Sequence, residues 1–272
     1  MIGQMWNRYR QRFIHYFQVY SGFFATSFIA AMSFRIHFVL LIVMDLFFYV
    51  STLGSVHIIY NHVSMIGPWN REELLFFVSV MLTIQQCHMA FVSENFWLFS
   101  STIRTGALDF VLLKPISALF SSFFRHIRPG SFINILITWI TVIYYGIEVH
   151  LGLLAWVLLP FCILSGLILA SSLDMVIASS MFWMLEGTGI NFLRIELQEL
   201  SRWPDFIYGS ITSRILTIVV PVLLIGSAPV RFLFDHSDWL PLFGLGVAII
   251  VVWVVLHFVW NAGLNIYESA SS

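Results

Sequence analysis

Long apolar runs separated by short polar breaks dominate this chain. Runs at 36–59, 74–98, 131–148, 211–229 and 241–265 approach or exceed the ~20 residues that cross a hydrocarbon core as a helix. The run at 152–186 is longer than one straight crossing needs and reads as a single kinked or extended helix. The count is then six. Two stretches fit no span: the charged region 100–130 and the polar block 187–205. Residues 1–34 follow another pattern. At helical period Gln4, Arg8, Gln11, His15 and Gln18 share one face, and Met5, Tyr9, Phe13, Tyr16, Phe17 and Tyr20 share the other. That predicts an amphipathic helix lying in a membrane interface. The alternative, the first half of a long span, would put Arg8, Arg10, Arg12 and His15 into hydrocarbon, which is costly.

Composition agrees. Only 10% of the 272 residues are charged, where a soluble domain usually carries about 25%. So little polar surface cannot cover a protein of this size, and lipid must be the solvent for much of it. The fold class expected is an all-α integral membrane protein, one domain over 1–272. A net charge of −1 offers no general basic field for nucleic acid. Cys87 and Cys162 both sit inside apolar runs and read as small buried hydrophobes, not a disulfide. The interrupted stretch behind the N-terminal arginines carries no clear cleavage site, so no cleaved leader is expected.

Positive residues orient the spans. With six crossings and a cytoplasmic N-terminus, eleven of the thirteen Lys and Arg residues fall inside, leaving Arg71 and Arg231 outside. Both termini are then cytoplasmic. This places 100–130 and 187–205 on the cytoplasmic side.

Within 100–130 one stretch stands out, "RTGALDFVLLKPIS" at 104–117, which holds the only lysine of the chain, Lys114. Leu108, Val111, Leu112 and Ile116 form an apolar stripe, Gly106 permits a turn, and Pro115 ends any helix. It is a short amphipathic element, suited either to a partner protein or to anionic lipid. Asp109 is able to form a local ion pair with Arg104 or Lys114.

That stretch resembles the Arg-x-Gly-x-Leu-Asp-x-x-Leu-x-Lys-Pro signature of a branch of the ABC-2 type permeases, met here by Arg104, Gly106, Leu108, Asp109, Leu112, Lys114 and Pro115. Further blocks follow in the same order: Phe182-Trp183; "ELSRWPDFIYGSITSRILTIVVPV", with Trp203 in place of a tyrosine before Pro204; "APVRFL"; and the ending "GLNIYESASS". The resemblance covers nearly the whole chain. It implies a six-span ABC-2 (type V exporter-like) architecture and a permease that pairs with a second permease, identical or paralogous. It also implies two copies of an ATP-binding-cassette ATPase docked below, and residence in a bacterial inner membrane. The element at 104–115 would be the coupling helix that enters the ATPase, its leucines buried in the partner and Arg104, Asp109 and Lys114 setting register. Arg202, Trp203 and Pro204 are expected to form a second cytoplasmic contact. No Gly-x-x-x-x-Gly-Lys-Ser/Thr occurs; "EGTGIN" at 186–191 has the glycines without the lysine. ATP and its Mg would belong to the partner, with no cofactor held by this chain.

Asp45, Glu94 and Asp174 lie in or near spans, where a carboxylate is a candidate for a path or interface. His57, His62, Glu72 and Glu73 are poorly spaced for a metal, and no metal is expected. No nucleophile elbow or other catalytic motif is present. An exporter subunit carrying a hydrophobic or amphipathic substrate (drug, antibiotic, lipid or glycolipid) is the leading reading. A membrane-embedded lipid-modifying enzyme and a passive channel or scaffold are its alternatives.

Overall fold

The structure is a computed structural model that describes residues 2–184 and 186–268, without the side chains of 2–9, 12 and 13. The expected faces of Gln4, Met5, Arg8, Tyr9, Arg12 and Phe13, and the closing Ser-Ala-Ser-Ser, lie outside what is described. Besides a short 3-10 turn at Asp205–Ile207, the described residues form eleven helices and no strand: α1 (Ile2–Ser33), α2 (Arg35–Tyr60), α3 (Arg71–Arg104), α4 (Ala107–Leu112), α5 (Ala118–Phe123), α6 (Gly130–Glu148), α7 (Leu153–Trp183), α8 (Thr188–Ser201), α9 (Ser210–Val219), α10 (Leu224–Phe234) and α11 (Leu240–Ile266). Five of them, α2, α3, α6, α7 and α11, are long and apolar enough to cross a membrane.

The bundle is organised around α3. Asn70 opens it with a capping box: its Oδ1 accepts from Glu73 N–H at 2.9 Å, and Glu73 Oε2 accepts from Asn70 N–H at 2.8 Å. The run Leu74–Leu82 that follows is buried throughout, so α3 is apolar on all sides because it is covered on all sides. It packs on α6 and α7, while α7 packs on α10 and α11. Gly166 of α7 lets the backbone of α10 come close, since a Cβ there would lie 2.6 Å from the Ile225 carbonyl oxygen.

Thirty-four residues make α3 about 50 Å long, so its two ends are useful landmarks. The distal end holds Trp69 and the α2–α3 turn. The proximal end holds Arg104, α4 and α5. The N-terminal helix is proximal: Tyr16 Oη accepts from Ser117 N–H at 2.9 Å and Ser27 Oγ accepts from Ile127 N–H at 3.1 Å. The end of α11 is proximal too, where Trp260 stacks on Phe99 at 5.8 Å and Tyr267 meets Phe182.

Two sequence expectations are corrected by these contacts. The polar block 187–205 does not stay at one end. Gly187 N–H donates to Ser100 Oγ, Asn191 to the Phe96 carbonyl and Arg202 to Gln85, and Phe206 stacks edge-on against Trp69 at 4.9 Å. The chain therefore climbs antiparallel to α3 from its proximal end to its distal end. Nor is 211–229 one straight span. It breaks into α9 and α10, bent by 100° to one another. The hairpin starts just after Phe206, reaches Gly166 midway along α7, and returns to Trp69 and Phe76 through Phe234. It enters and leaves by the distal end. Five helices are long and apolar enough to cross, six if the bent pair α9–α10 counts as one span; the contacts of 188–207 along α3 point instead to that segment as the sixth crossing, with the bent pair re-entrant. Consequently Asp205 and Arg231, assigned above to opposite sides, form an ion pair at 2.7 Å. Arg194, Arg202 and Arg214 drop out of the proximal positive cluster.

This topology is open to a direct check. In sealed vesicles a membrane-impermeant thiol reagent should label Gly209→Cys and Ser64→Cys from one side and Leu113→Cys from the other. Gly209→Cys labelled together with Leu113→Cys would refute the crossing at 188–207.

Candidate functional site

Three groups of polar residues interrupt the apolar bundle. The first is the proximal element. Gly106 adopts φ 71°, a left-handed turn that a side chain would strain, and this turn swings α4 back beneath α3. Leu108 and Val111 face inward and are buried. The apolar stripe expected to meet a partner is thus partly spent on the chain's own core. What α4 presents outward is Phe110 (72% exposed), Leu113 (81%) and Leu112 (41%), with Arg104 and Pro115 exposed beside them. Asp109 lies against the Tyr267 hydroxyl, which burial and that carboxylate push up in pKa. Partial burial and the nearby Arg125 hold the Lys114 ammonium below its usual range. Arg202, Trp203 and Pro204 do not belong to this end. Arg202 stands level with Gln85, 19 residues or about 28 Å along α3 from Arg104, and Pro204 is buried. The expected second contact thus lies well apart from α4 along the bundle.

The second group surrounds Asp45. Its carboxylate accepts from Arg128 (3.3 Å), Asn134 (3.1 Å) and Gln86 (3.4 Å), joining α2, α3, α6 and the end of the proximal loop. Arg128 also donates its backbone N–H to the Ala90 carbonyl at 3.0 Å. Ala90 sits in a π-helical turn, Met89–Ser93, where the wider winding shifts the α-helical hydrogen-bond register. Next door, Asn95 clamps both backbone groups of His126.

The third group is the most deeply buried. Asp174 Oδ2 accepts from Arg194 Nη1 at 3.1 Å and from Gln198 Nε2. His88 Nε2 lies 2.9 Å from the same oxygen, within ion-pair distance but off hydrogen-bond alignment. Arg194 is 1% exposed, and its guanidinium also lies over the Phe96 ring at 4.7 Å, with His88 stacked on that ring as well. This cluster fastens α8 to α3 and α7. Glu94 is exposed and takes part in neither carboxylate cluster.

Between the second and third groups lies a cavity of about 390 Å³ against α2, α3 and α8. Asp45, Gln85, Ser93, Arg194, Gln198, Glu199 and Arg202 give it polar walls; Phe48, Tyr49, Trp97 and Met89 give it apolar ones. Arg202 pairs with Glu199 and lies over Phe48 at 4.5 Å. The buried Nε atoms of Arg194 and Arg202 have no hydrogen-bond partner.

Sequence reasoning picked Asp45 and Asp174 but missed their partners. A readable signal existed for one set: Asn191, Arg194, Gln198 and Ser201 recur at intervals of three, four and three, and Asn191, Arg194 and Ser201 are buried while Phe192 and Leu193 are exposed. Such a period turns a polar face toward the bundle and Phe192 and Leu193 away from it. No group of three or more metal-ligating side chains occurs among the described residues.

A family model described as ABC-2 family transporter protein matches residues 40–271. No curated protein and no solved structure matches the chain significantly.

The two ion pairs should differ sharply in what they contribute. Arg194→Met leaves Asp174 buried without its cation, a loss of about 3–5 kcal/mol. Arg231→Met breaks a pair whose partners are 34% and 22% exposed and should cost no more than about 1 kcal/mol. Melting of both variants in one detergent checks this; equal shifts would show that the Asp174 cluster does not hold α8.

Proposed function

The chain belongs to the ABC-2 family of transporter membrane proteins, and from that premise we propose that it forms half of an export path driven by a separate ATPase docked on α4. As a family member it is a multi-pass permease subunit of an ABC transporter, and such a subunit associates with an ABC ATPase. The single observation that carries the docking site is the exposed tip Phe110, Leu112 and Leu113 at the proximal end. Three large apolar side chains on one short helix, flanked by Arg104 and Lys114, have the make-up of an interface anchor with a charged rim. In this reading the proximal end is cytoplasmic, both termini are cytoplasmic and the membrane is a bacterial inner membrane. ATP and Mg are held by the partner, present in two copies.

A second permease, identical or paralogous, completes the path. We place it on the α2–α8 side, against which the cavity described above lies. A hydrophobic or amphipathic substrate suits the aromatic and apolar walls there.

Affinity purification of the tagged chain from its membrane in mild detergent tests the reading. Wild type should bring down an ATPase with a phosphate-binding loop. Phe110→Asp, Leu113→Asp and Lys114→Glu should reach the membrane in normal amounts and lose the ATPase, whereas Leu108→Asp, altering a buried side chain, should reduce the amount of chain itself. Undiminished ATPase recovery in the first three would remove α4 as the docking element.

A further inference from the structure

We propose that the cavity between α2, α3 and α8 takes a zwitterionic headgroup, one carrying a phosphate and an ammonium, of a lipid entering sideways from the leaflet at the proximal end. This rests on the permease reading and names the chemistry its path would receive.

Depth is the first observation. Arg71 to His88 is 18 residues of α3, about 27 Å and close to one hydrocarbon thickness. Met89 and Ser93 therefore stand near a headgroup level, the level at which Arg128 and the start of α6 also lie. The cavity extends from Trp97, below that level, to Gln85 and Arg202, a turn or two above it. Polar walls at this depth meet the polar part of a lipid without drawing it to the bilayer centre.

Charge is the second. Arg194 is balanced by Asp174, and Arg202 by Glu199; Asp45 is balanced by Arg128. The walls are thus neutral in sum. Yet Arg194, 99% buried, and Arg202 both keep a buried Nε–H without an acceptor. An arriving group must bring acceptor oxygens, as phosphate does. A bare anion would leave one uncompensated charge in a low-dielectric site. A group that carries its own cation does not, and the Glu199 carboxylate, 43% exposed at the rim, is placed to receive an ammonium. Beyond the rim, Phe47 and Val50 of α2 are exposed and apolar, a surface for the acyl chains.

The test uses the complex, with its ATPase, in nanodiscs. Phosphatidylethanolamine and phosphatidylglycerol bearing the same photoreactive group near the headgroup are crosslinked, and the adducts are mapped by peptide. The ethanolamine lipid should mark peptides holding Gln85–Trp97 and Arg194–Arg202, and unlabelled ethanolamine lipid should displace it. Arg202→Gln should cut that adduct about tenfold, the loss of a charge-assisted contact. Because Arg202 also packs on Phe48, the rim variant Glu199→Gln serves as a second probe and should narrow the preference over phosphatidylglycerol. Equal labelling by both lipids, or labelling unmoved by both variants, would overturn the proposal. So would ethanolamine-lipid adducts found on a second permease chain and absent from these peptides. ATPase recovery is measured in the same preparations: lipid labelling lost with the ATPase still bound sinks this inference alone, while an ATPase absent from wild type sinks the permease reading.

Discussion

The burial of one carboxylate determines how this molecule can be threaded. Asp174 sits in the interior with Arg194 and Gln198 on one of its oxygens and His88 against the same atom. An isolated ion there would be prohibitive, so the charges must arrive together. Arg194 and Gln198 are four residues apart on α8, so satisfying Asp174 fixes both the position of that helix along α3 and its rotation. Once α8 is held against α3 with Gly187 at Ser100, the chain has only one way to go, up to Trp69 at the distal end.

The re-entrant hairpin is a consequence. From Tyr208 at the distal side the chain must still supply α11, which runs from the distal to the proximal end. A further full crossing would leave α11 starting at the wrong end. The segment 210–234 dips and returns instead. Its bend at 219–224 is built from a π-helical turn and Val220-Pro221, which cannot continue a regular ladder. Backbone this irregular is tolerated at depth only when covered by protein, and Gly166 admits the Ile225 carbonyl closely enough to do so.

Much of this was legible in the order of residues, and the failures have definite causes. The long apolar helices announce themselves because lipid rewards an unbroken apolar length. The Gly106 turn and the amphipathic α4 were also visible, but which leucines faced out was not: six residues contain too few turns to distinguish the face toward the chain's own core from the face toward a partner. The polar block 187–205 was misplaced because counting arginines treats each as solvated. Arg194 and Arg202 instead lie along α3 within the bundle, paired with Asp174 and Glu199, whereas the count applies to residues in loops. Asp174 lies 20 residues from Arg194 and His88 a further 86 before it, and no local pattern reports such pairings.

The two ends of the proposed mechanism are linked by three consecutive residues. His126 is clamped by Asn95 of α3, Ile127 by Ser27 of α1, and Arg128 by Ala90 of α3 and Asp45 of α2. Every link in that run is a hydrogen bond to a different helix or a different turn. A displacement of the loop 104–125 therefore cannot be absorbed before it reaches Arg128. There it meets the π-helical turn of α3, a place where a helix changes register at small cost. Met89 and Ser93 of that turn, together with Asp45, are walls of the cavity. The docking tip and the cavity share no residue, but a shift at Arg128 moves one wall of the cavity against α8, whose own position Asp174 holds. In the proposed reading, movement at the tip would change the width of the cavity and not its place.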